Sequence, residues 1–248
     1  MELQVIGTGS SGNAYVLRAG DSALLLDAGL SIRQIVRAVP DWEKLAGCLV
    51  THEHKDHART AQDVDKMAVP VFMSEGTKRA LYDRGNVGQF RALSALKPYG
   101  IGPWMVMPFP VQHDAAEPFG FLIRYGPTGE TAIYATDTYY LKHTFPGVHY
   151  WMIECSYMDE IVDEQLSRGD ITEAFRRRLI TSHMSLRRLL DTLGANDLNK
   201  TRAIVLVHLS DERSDEETMV KAVQQVTGIE EVCAAAAGMR ISLNLCPF

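Results

Sequence analysis

Short apolar runs alternate with turn residues along the first third of the chain, and this pattern predicts β-strands. The predicted strands are residues 3–6, 14–17, 23–26 and 47–51. Apolar residues at helical spacing predict two helices in the same region, at residues 31–39 and 57–67. The first of these helices ends before Pro40, because proline cannot continue a helix.

The rest of the chain continues the mixture of strands and helices. Helical spacing dominates residues 159–193 and recurs at 215–226. Further strands are predicted at residues 104–111, 119–125, 131–135, 150–153, 203–207 and 241–245. The order lacks the strict strand–helix alternation of a doubly wound sheet, so it favours an α+β fold with two mixed β-sheets, each covered by helices on its outer face. No repeat or linker divides the sequence, and we expect one domain over residues 1–248.

The composition is that of an ordinary globular protein, with 46% hydrophobic residues, 23% charged residues and a net charge of −6. No apolar stretch approaches the ~20 residues that a membrane span needs. The first twenty residues do not resemble a secretory signal, and the four cysteines are scattered without a CxxC pair. We therefore expect a cytoplasmic protein without a membrane partner. For protein partners the sequence contains no indication.

Residues 7–12 read GTGSSG and match the GxGxxG pattern of dinucleotide-binding proteins. That pattern binds a pyrophosphate only where a helix opens at the third glycine. Here Asn13 begins an apolar run that predicts a strand, so we expect a hairpin turn and no nucleotide cofactor. The turn could still lie beside a substrate phosphate, which makes Ser10, Ser11 and Asn13 candidate substrate-binding residues.

The strongest chemical signal is the sequence THEHKDH at residues 51–57. Four potential metal ligands, His52, His54, Asp56 and His57, fall within six residues directly after a predicted strand. The first two histidines are two residues apart and point to the same side of an extended loop, whereas Asp56 and His57 open the next helix and could face a second point. Metal ions need deprotonated donors that converge closely, so the segment predicts a metal site.

This segment resembles the signature of the metallo-β-lactamase fold, and the resemblance extends along the chain. Members of that family also carry an Asp after an early strand, a lone His, a lone Asp and a His near the C-terminus. Asp27, His113, Asp137 and His208 match these positions, each near the end of a predicted strand. The resemblance implies a four-layer αββα sandwich that holds two divalent metal ions.

The resemblance also implies how the ligands are divided between the two ions. One ion would have three imidazole ligands, and the other would have two imidazoles and a carboxylate: His52, His54 and His113 for the first, and Asp56, His57 and His208 for the second. Asp137 would bridge the ions, and Asp27 would orient a ligand imidazole without binding metal. This donor set suits Zn²⁺ and would accept Mn²⁺ or Fe. The implied reaction is hydrolysis by attack of a hydroxide that bridges the two ions.

Three short segments resemble the YycJ/WalJ group within this family, a group of single-domain 5′→3′ DNA exonucleases. They are GSSGN at residues 9–13, THEH at 51–54 and HLS at 208–210. The segment SHMS at residues 182–185 resembles a further segment of that group, and a histidine in the matching interval of tRNase Z assists phosphodiester cleavage. The resemblance therefore implies catalytic roles for Asp56, Asp137 and His183, with His183 acting on the substrate and not on a metal.

A local excess of positive charge points to the same substrate class. Residues 168–202 hold eight Lys or Arg against four Asp or Glu in a chain whose net charge is negative. Arg187 and Arg188 follow His183 and are candidate contacts for DNA phosphates, although a solvated helix face would have the same composition. The acidic residues after His208, where YycJ-like sequences usually carry asparagines, leave the substrate preference open.

The leading hypothesis is a dinuclear-metal phosphodiesterase that acts on nucleic acid, most consistent with a 5′→3′ DNA exonuclease. One alternative is a small-molecule hydrolase of the same fold, acting on a cyclic phosphodiester or on a thioester as glyoxalase II does. Another is a metal-binding protein without hydrolytic activity.

Overall fold

The computed structural model describes residues 1–243 of the chain. The strands, in chain order, are β1 (Glu2–Gly7), β2 (Ala14–Ala19), β3 (Ser22–Leu26), β4 (Leu45–Leu49), β5 (Val71–Ser74), β6 (Arg91–Leu93), β7 (Tyr99–Ile101), β8 (Trp104–Pro110), β9 (Phe119–Tyr125), β10 (Thr131–Ala135), β11 (Tyr150–Glu154), β12 (Ala203–Val207), β13 (Val232–Ala234) and β14 (Arg240–Ser242). The helices are α1 (Ile32–Ala38), α2 (Lys55–Ala58), α3 (Ala61–Lys66), α4 (Glu75–Asp83), α5 (Asp159–Arg168), α6 (Glu173–Ser182), α7 (Leu186–Gly194) and α8 (Glu216–Thr227).

The strands belong to two mixed β-sheets flanked by helices, so the predicted fold class is confirmed. The chain divides into two compact units. Unit 1 comprises Met1–Pro110, Ala115–Thr131 and the residues from Ala236 onward, and unit 2 comprises Val111–Asp114 and Ala132–Ala235. A single domain over residues 1–248 stays a prediction. Within residues 1–243, no helix combines the length and the apolar character needed to cross a membrane.

Unit 1 contains a seven-stranded sheet in the order β14-β1-β2-β3-β4-β5-β6. The strands from β3 to β6 run parallel, so their carboxyl ends lie at one edge of the sheet. Ile35 of α1 and Val64 of α3 are fully buried in the same apolar cluster as Leu25 and Val71 of the strands. Unit 1 also contains the antiparallel strands β7, β8 and β9.

Unit 2 is built on the parallel strands β10, β11, β12 and β13. Every residue of β11 and β12 is buried, as expected for parallel strands that are covered on both faces. Because the strands are parallel, their carboxyl ends again share one edge. The predicted helical region at residues 159–193 contains α5, α6 and α7, separated at Gly169 and His183.

Local hydrogen bonds explain where the first helices begin and end. Ser31 caps α1 and forms a capping box with Gln34, which confirms the predicted helix. The prediction of a single helix at residues 57–67 is wrong. The chain forms two helices there, α2 and α3, which are separated by Arg59 and Thr60. The Thr60 hydroxyl donates to the carbonyls of Ala28 and Leu30, at 3.1 and 3.0 Å, and holds the chain out of the helical path.

Several short elements were not indicated by the pattern. Between residues 68 and 103 lie β5, β6, β7 and α4, and the three strands are only three or four residues long. Such runs are too short for alternation to distinguish them from loops. The last predicted strand, residues 241–245, corresponds to β14, and Leu245 lies outside the described residues.

The loop after β3 packs backbone to backbone against the segment predicted to bind metal. Asn13 N donates to Asp56 O, and Ala28 N donates to His57 O, both at 2.7 Å, while Gly29 N donates to Asn13 O at 2.9 Å. A Cβ atom added at Gly29 would lie 1.7 Å from Asp56 O. Only glycine therefore permits this approach.

We predict that Gly29→Ala destabilises the protein severely, because the added methyl group meets backbone atoms that cannot move without breaking these hydrogen bonds. The expected loss is about 3 kcal/mol or more of unfolding free energy, the upper range for overpacking. Chemical denaturation measures it. The control is Gly100→Ala, because a Cβ there has no heavy atom within 4 Å among the described residues. Equal stability of the two variants would contradict the prediction.

Candidate metal centre

Asp27, the residue that follows β3, holds the THEHKDH segment in place through hydrogen bonds. Its side chain is fully buried, and its backbone adopts a left-handed conformation with φ of 58°. Oδ1 accepts hydrogen bonds from Thr51 N at 2.8 Å and from Thr51 Oγ1 at 3.0 Å. Oδ2 accepts from His57 Nδ1 at 2.7 Å. One carboxylate therefore fixes both the start and the end of the segment.

These contacts also set which ring nitrogens carry protons. His57 donates its Nδ1 proton to Asp27, so the lone pair of the neutral ring lies on Nε2. The Thr51 hydroxyl donates to Asp27, so at its 3.0 Å contact with His52 Nδ1 it acts as acceptor. His52 thus also presents its lone pair on Nε2. This is the pattern by which second partners orient metal-binding histidines.

Unit 1 brings together the four donors that the motif predicts. The His52 ring centroid lies 4.6 Å from that of His54 and 4.3 Å from that of His57. His57 Nε2 lies 3.4 Å from Asp56 Oδ2. Three imidazoles and a carboxylate therefore converge at the carboxyl end of β4 and the start of α2.

Unit 2 brings together the three predicted ligands that lie later in the chain. His113 donates Nδ1–H to the Ser182 carbonyl at 2.9 Å, which leaves its lone pair on Nε2. Nε2 of His113 lies 3.5 Å from Asp137 Oδ2, and Nε2 of His208 lies 3.3 Å from Asp137 Oδ1. Asp137 thus has one histidine beside each of its oxygens, which suits the bridging role implied by the resemblance.

Glu154, at the end of β11, is a buried residue of this cluster that the sequence analysis missed. Its Oε2 accepts from Thr138 N at 2.6 Å, and its Oε1 accepts from His183 Nδ1 at 2.7 Å. Burial alone would raise the pKa of this carboxyl, but the charge and hydrogen bond of His183 hold the pKa below its usual value. Its position at a strand end, like that of Asp137, was the signal available in the sequence.

His183 lies among the histidines of unit 2 that are predicted to bind metal. Its ring stacks on His208 with centroids 5.3 Å apart and meets the His113 ring edge-on at 5.3 Å. Burial alone would lower the pKa of His183, but the Glu154 carboxylate raises it above the ordinary value. Donor atoms of Asp137, Glu154, His183 and His208 lie within 4.8 Å of one another, a spacing that a metal ion could also use. That His183 acts on the substrate stays a prediction.

The glycine-rich turn has the conformation expected from its sequence, since β2 and not a helix follows Gly12. Asn13 is fully buried, and its amide forms hydrogen bonds with both the N–H and the carbonyl of Gly9, each at 3.0 Å. Asn13 Nδ2 also lies 3.0 Å from His57 Nε2. Ser10 and Ser11 are exposed and line a cavity together with Asp56.

Four of the eight basic side chains in the strip at residues 168–202 are already paired with acids. Arg187 and Arg188 stand apart: both are exposed in the first turn of α7, and the Arg188 guanidinium lies 5.5 Å from the centre of the Tyr139 ring. The ion pairs elsewhere in the strip are Arg168–Glu164, Arg176–Asp163, Arg177–Glu173 and Arg178–Asp114. The excess of basic residues in the sequence therefore overstates the uncommitted charge.

The donors fit a metal ion that prefers nitrogen and oxygen ligands. In His52, His57 and His113, a hydrogen bond from Nδ1 directs the lone pair to Nε2. The carboxylates of Asp56 and Asp137 each lie beside an imidazole nitrogen. Imidazole and carboxylate ligands suit Zn²⁺, Mn²⁺ and Fe alike, so the geometry leaves the choice of metal open.

Comparison with known proteins identifies similar chains. The profile of the family described as "Beta-lactamase superfamily domain" matches residues 23–209. The chain is 26% identical to exodeoxyribonuclease WalJ of Streptococcus pneumoniae, over 97% of this chain and 91% of that protein. It is 28% identical to exodeoxyribonuclease YycJ of Bacillus anthracis, over 91% and 89%. The crystal structure of the metallo-β-lactamase fold protein YhfI from Bacillus subtilis superposes with a TM-score of 0.73 at 17% identity, covering 97% of this chain and 98% of that chain.

We predict that Asp27→Asn weakens metal binding ~10–100-fold, the usual cost of losing such a partner. The NH2 group of the new amide would face either the Thr51 N–H, which it would repel, or His57 Nδ1, where it would favour the tautomer with the proton on Nε2. Competition with a chromophoric chelator measures the affinity. Asp21→Asn, whose side chain is fully exposed, is the control. Unchanged affinity in the Asp27 variant would show that the carboxylate does not orient a ligand.

Proposed function

The chain belongs to the β-lactamase superfamily and is a metal-dependent hydrolase, and from this premise we propose that it is a DNA exonuclease that degrades strands 5′→3′. The observation that carries the proposal is the likeness to two exodeoxyribonucleases over nearly their whole length. We further propose that the protein works in the cytoplasm, where bacterial DNA is found.

The proposed centre holds two divalent ions, Zn²⁺ or Mn²⁺ with Fe as a further option. When bound, such ions would supply Lewis acidity and a water of lowered pKa for hydrolysis of a phosphodiester. The proposed ligands are those that the resemblance implies: His52, His54, Asp56, His57, His113, Asp137 and His208. The support is the match of these positions to the family pattern and the orientation of the rings within each unit.

The protein's own groups would prepare these ligands and handle the proton of the leaving group. Asp27 and Thr51 hold the imidazoles of unit 1 in one tautomer. In unit 2, Glu154 accepts Nδ1–H of His183, which leaves Nε2 of a protonated His183 as a donor. The raised pKa of His183, caused by the Glu154 carboxylate against the opposing effect of burial, favours that protonated form. We propose that His183 donates this proton to the oxygen that leaves the scissile phosphate.

We predict that the metal-loaded protein shortens end-labelled DNA, and that chelation abolishes the activity until Zn²⁺ or Mn²⁺ is restored. A duplex labelled at its 5′ end should release labelled mononucleotide first, whereas the same duplex labelled at its 3′ end should release label last. Elemental analysis should find two ions per chain. The reverse order of release would overturn the polarity. Hydrolysis of S-lactoylglutathione or a cyclic dinucleotide without any DNA cleavage would instead support a small-molecule enzyme.

We predict that His183→Ala keeps its metal ions but loses ~10²–10⁴-fold in turnover, the usual contribution of general acid catalysis. The matched control is His149→Ala, because His149 directly precedes β11 and lies at the opposite end of that strand from Glu154. Single-turnover cleavage and elemental analysis are measured together. Loss of metal from the His183 variant would make it a ligand, and an unchanged rate would remove it from the reaction.

A further inference from the structure

A cavity of about 590 Å³ in unit 1 opens beside Asp56 and has no role in the proposed chemistry so far. Its volume falls within the range of small-ligand sites. We call it the Arg59 cavity. The glycine-rich turn, the segment around α2 and the corner after α4 supply its lining: Ser10, Ser11, Gly29, Glu53, Lys55, Asp56, Ala58, Arg59, Leu81, Arg84 and Asn86.

Three cationic side chains line this cavity, and within residues 1–243 none of them forms an ion pair. Lys55 and Arg59 are exposed, and neither donates a hydrogen bond to another described residue. Arg84 donates from Nη1 to the Glu53 carbonyl at 2.6 Å, so its remaining N–H groups are not committed to a carboxylate. By contrast, Arg18 of the same unit is paired with Asp41 at 2.7 Å.

Among the described residues that line the cavity, the two acidic groups form no ion pair with these three cations, and they are fewer than the cations. Glu53 is buried and accepts from Ala116 N at 2.9 Å through Oε1, which ties it to the loop after β8. Asp56 is assigned to the metal centre in the proposed function. The hydroxyls of Ser10 and Ser11 are neutral donors at the rim. The cavity therefore presents an excess of positive charge, which favours an anion.

We propose that the Arg59 cavity binds the terminal phosphate of the DNA strand that is being degraded, an inference that rests on the proposed function. A terminal phosphomonoester carries a charge of about −1.5 to −2 at pH 7, whereas a diester within a strand carries one. Several uncommitted cations match the terminal group better, and arginine binds phosphate oxygens in a bidentate manner. Because Asp56 lines the same cavity, an end bound there lies next to the metal centre.

This site would explain how an exonuclease distinguishes a strand end from the interior. Charge-assisted hydrogen bonds contribute about 1.5–3 kcal/mol each, so loss of one cation predicts a ~10-fold or larger change in affinity for a phosphorylated end. A phosphate within the strand would bind the cavity more weakly, because it carries less charge and is bonded to a nucleotide on both sides.

The test compares duplexes that carry a 5′-phosphate or a 5′-hydroxyl, with a third that carries a 3′-phosphate. The wild-type protein should degrade the 5′-phosphorylated duplex with a KM at least ~10-fold lower than that of the 5′-hydroxyl duplex. Arg59→Gln should lose this preference, whereas Arg37→Gln, an equal charge change on the exposed face of α1, should keep it. Since Arg59 is exposed, both variants should unfold at the wild-type temperature.

Two results would overturn the inference and leave the nuclease proposal intact. One is that Arg59→Gln keeps the preference for the 5′-phosphorylated duplex, and the other is that the wild-type protein shows no such preference. A preference for the 3′-phosphate that Arg59→Gln abolishes would support phosphate binding in the cavity and overturn the 5′→3′ polarity.

If the metal-loaded protein degrades no DNA, the proposed function fails. Phosphate binding by the cavity is then tested separately, by calorimetric titration with 5′-dAMP. If Arg59→Gln binds 5′-dAMP at least ~10-fold more weakly than Arg37→Gln does, the result supports a phosphate site in the cavity. Equal affinity of the two variants would refute that site.

Discussion

The buried Asp27 carboxylate is the interaction on which the metal-binding segment of unit 1 depends. Its two oxygens accept three hydrogen bonds, from the backbone and hydroxyl of Thr51 and from His57 Nδ1. Since a buried carboxylate without donors is costly, the loop and the carboxylate stabilise each other. The same contacts direct the His57 lone pair, and through Thr51 that of His52, to Nε2. The hydrogen bonds that hold the loop are thus the same ones that orient the rings of the predicted ligands.

A second constraint acts on the backbone at the strand ends. Asp27, Asp137 and His208 each follow a strand of a parallel pair, and each adopts a left-handed φ between 51° and 58°. Non-glycine residues rarely adopt this conformation, at a cost of about 1–3 kcal/mol, and it persists only where surrounding contacts enforce it. The hydrogen bonds of Asp27 are such contacts. In each case the left-handed step turns the side chain out of the strand direction.

The contrast between what the sequence predicted and what it missed has a physical basis. The ligand motif at residues 51–57 was evident because its donors are adjacent in the chain. Glu154 was missed because its role depends on His183, which lies 29 residues later in the chain and meets it only in the folded structure. The break before Thr60 was missed for a similar reason, since its hydroxyl bonds carbonyls some thirty residues earlier. Long-range partners, unlike local spacing, leave little trace in a single sequence.

Charge shows most clearly why arrangement matters more than composition. Residues 168–202 carry the densest run of arginines, yet four of them, including Arg176 and Arg178, form ion pairs with neighbouring acids. Exposed pairs of this kind add little stability, but they occupy the guanidinium groups that a phosphate would need. Lys55 and Arg59 attract no notice in the sequence, because one lies inside the ligand motif at residues 51–57 and the other lies just after it. Glu53 accepts a backbone N–H and Asp56 is a proposed metal ligand, so the cations near them are the ones left to meet an anion.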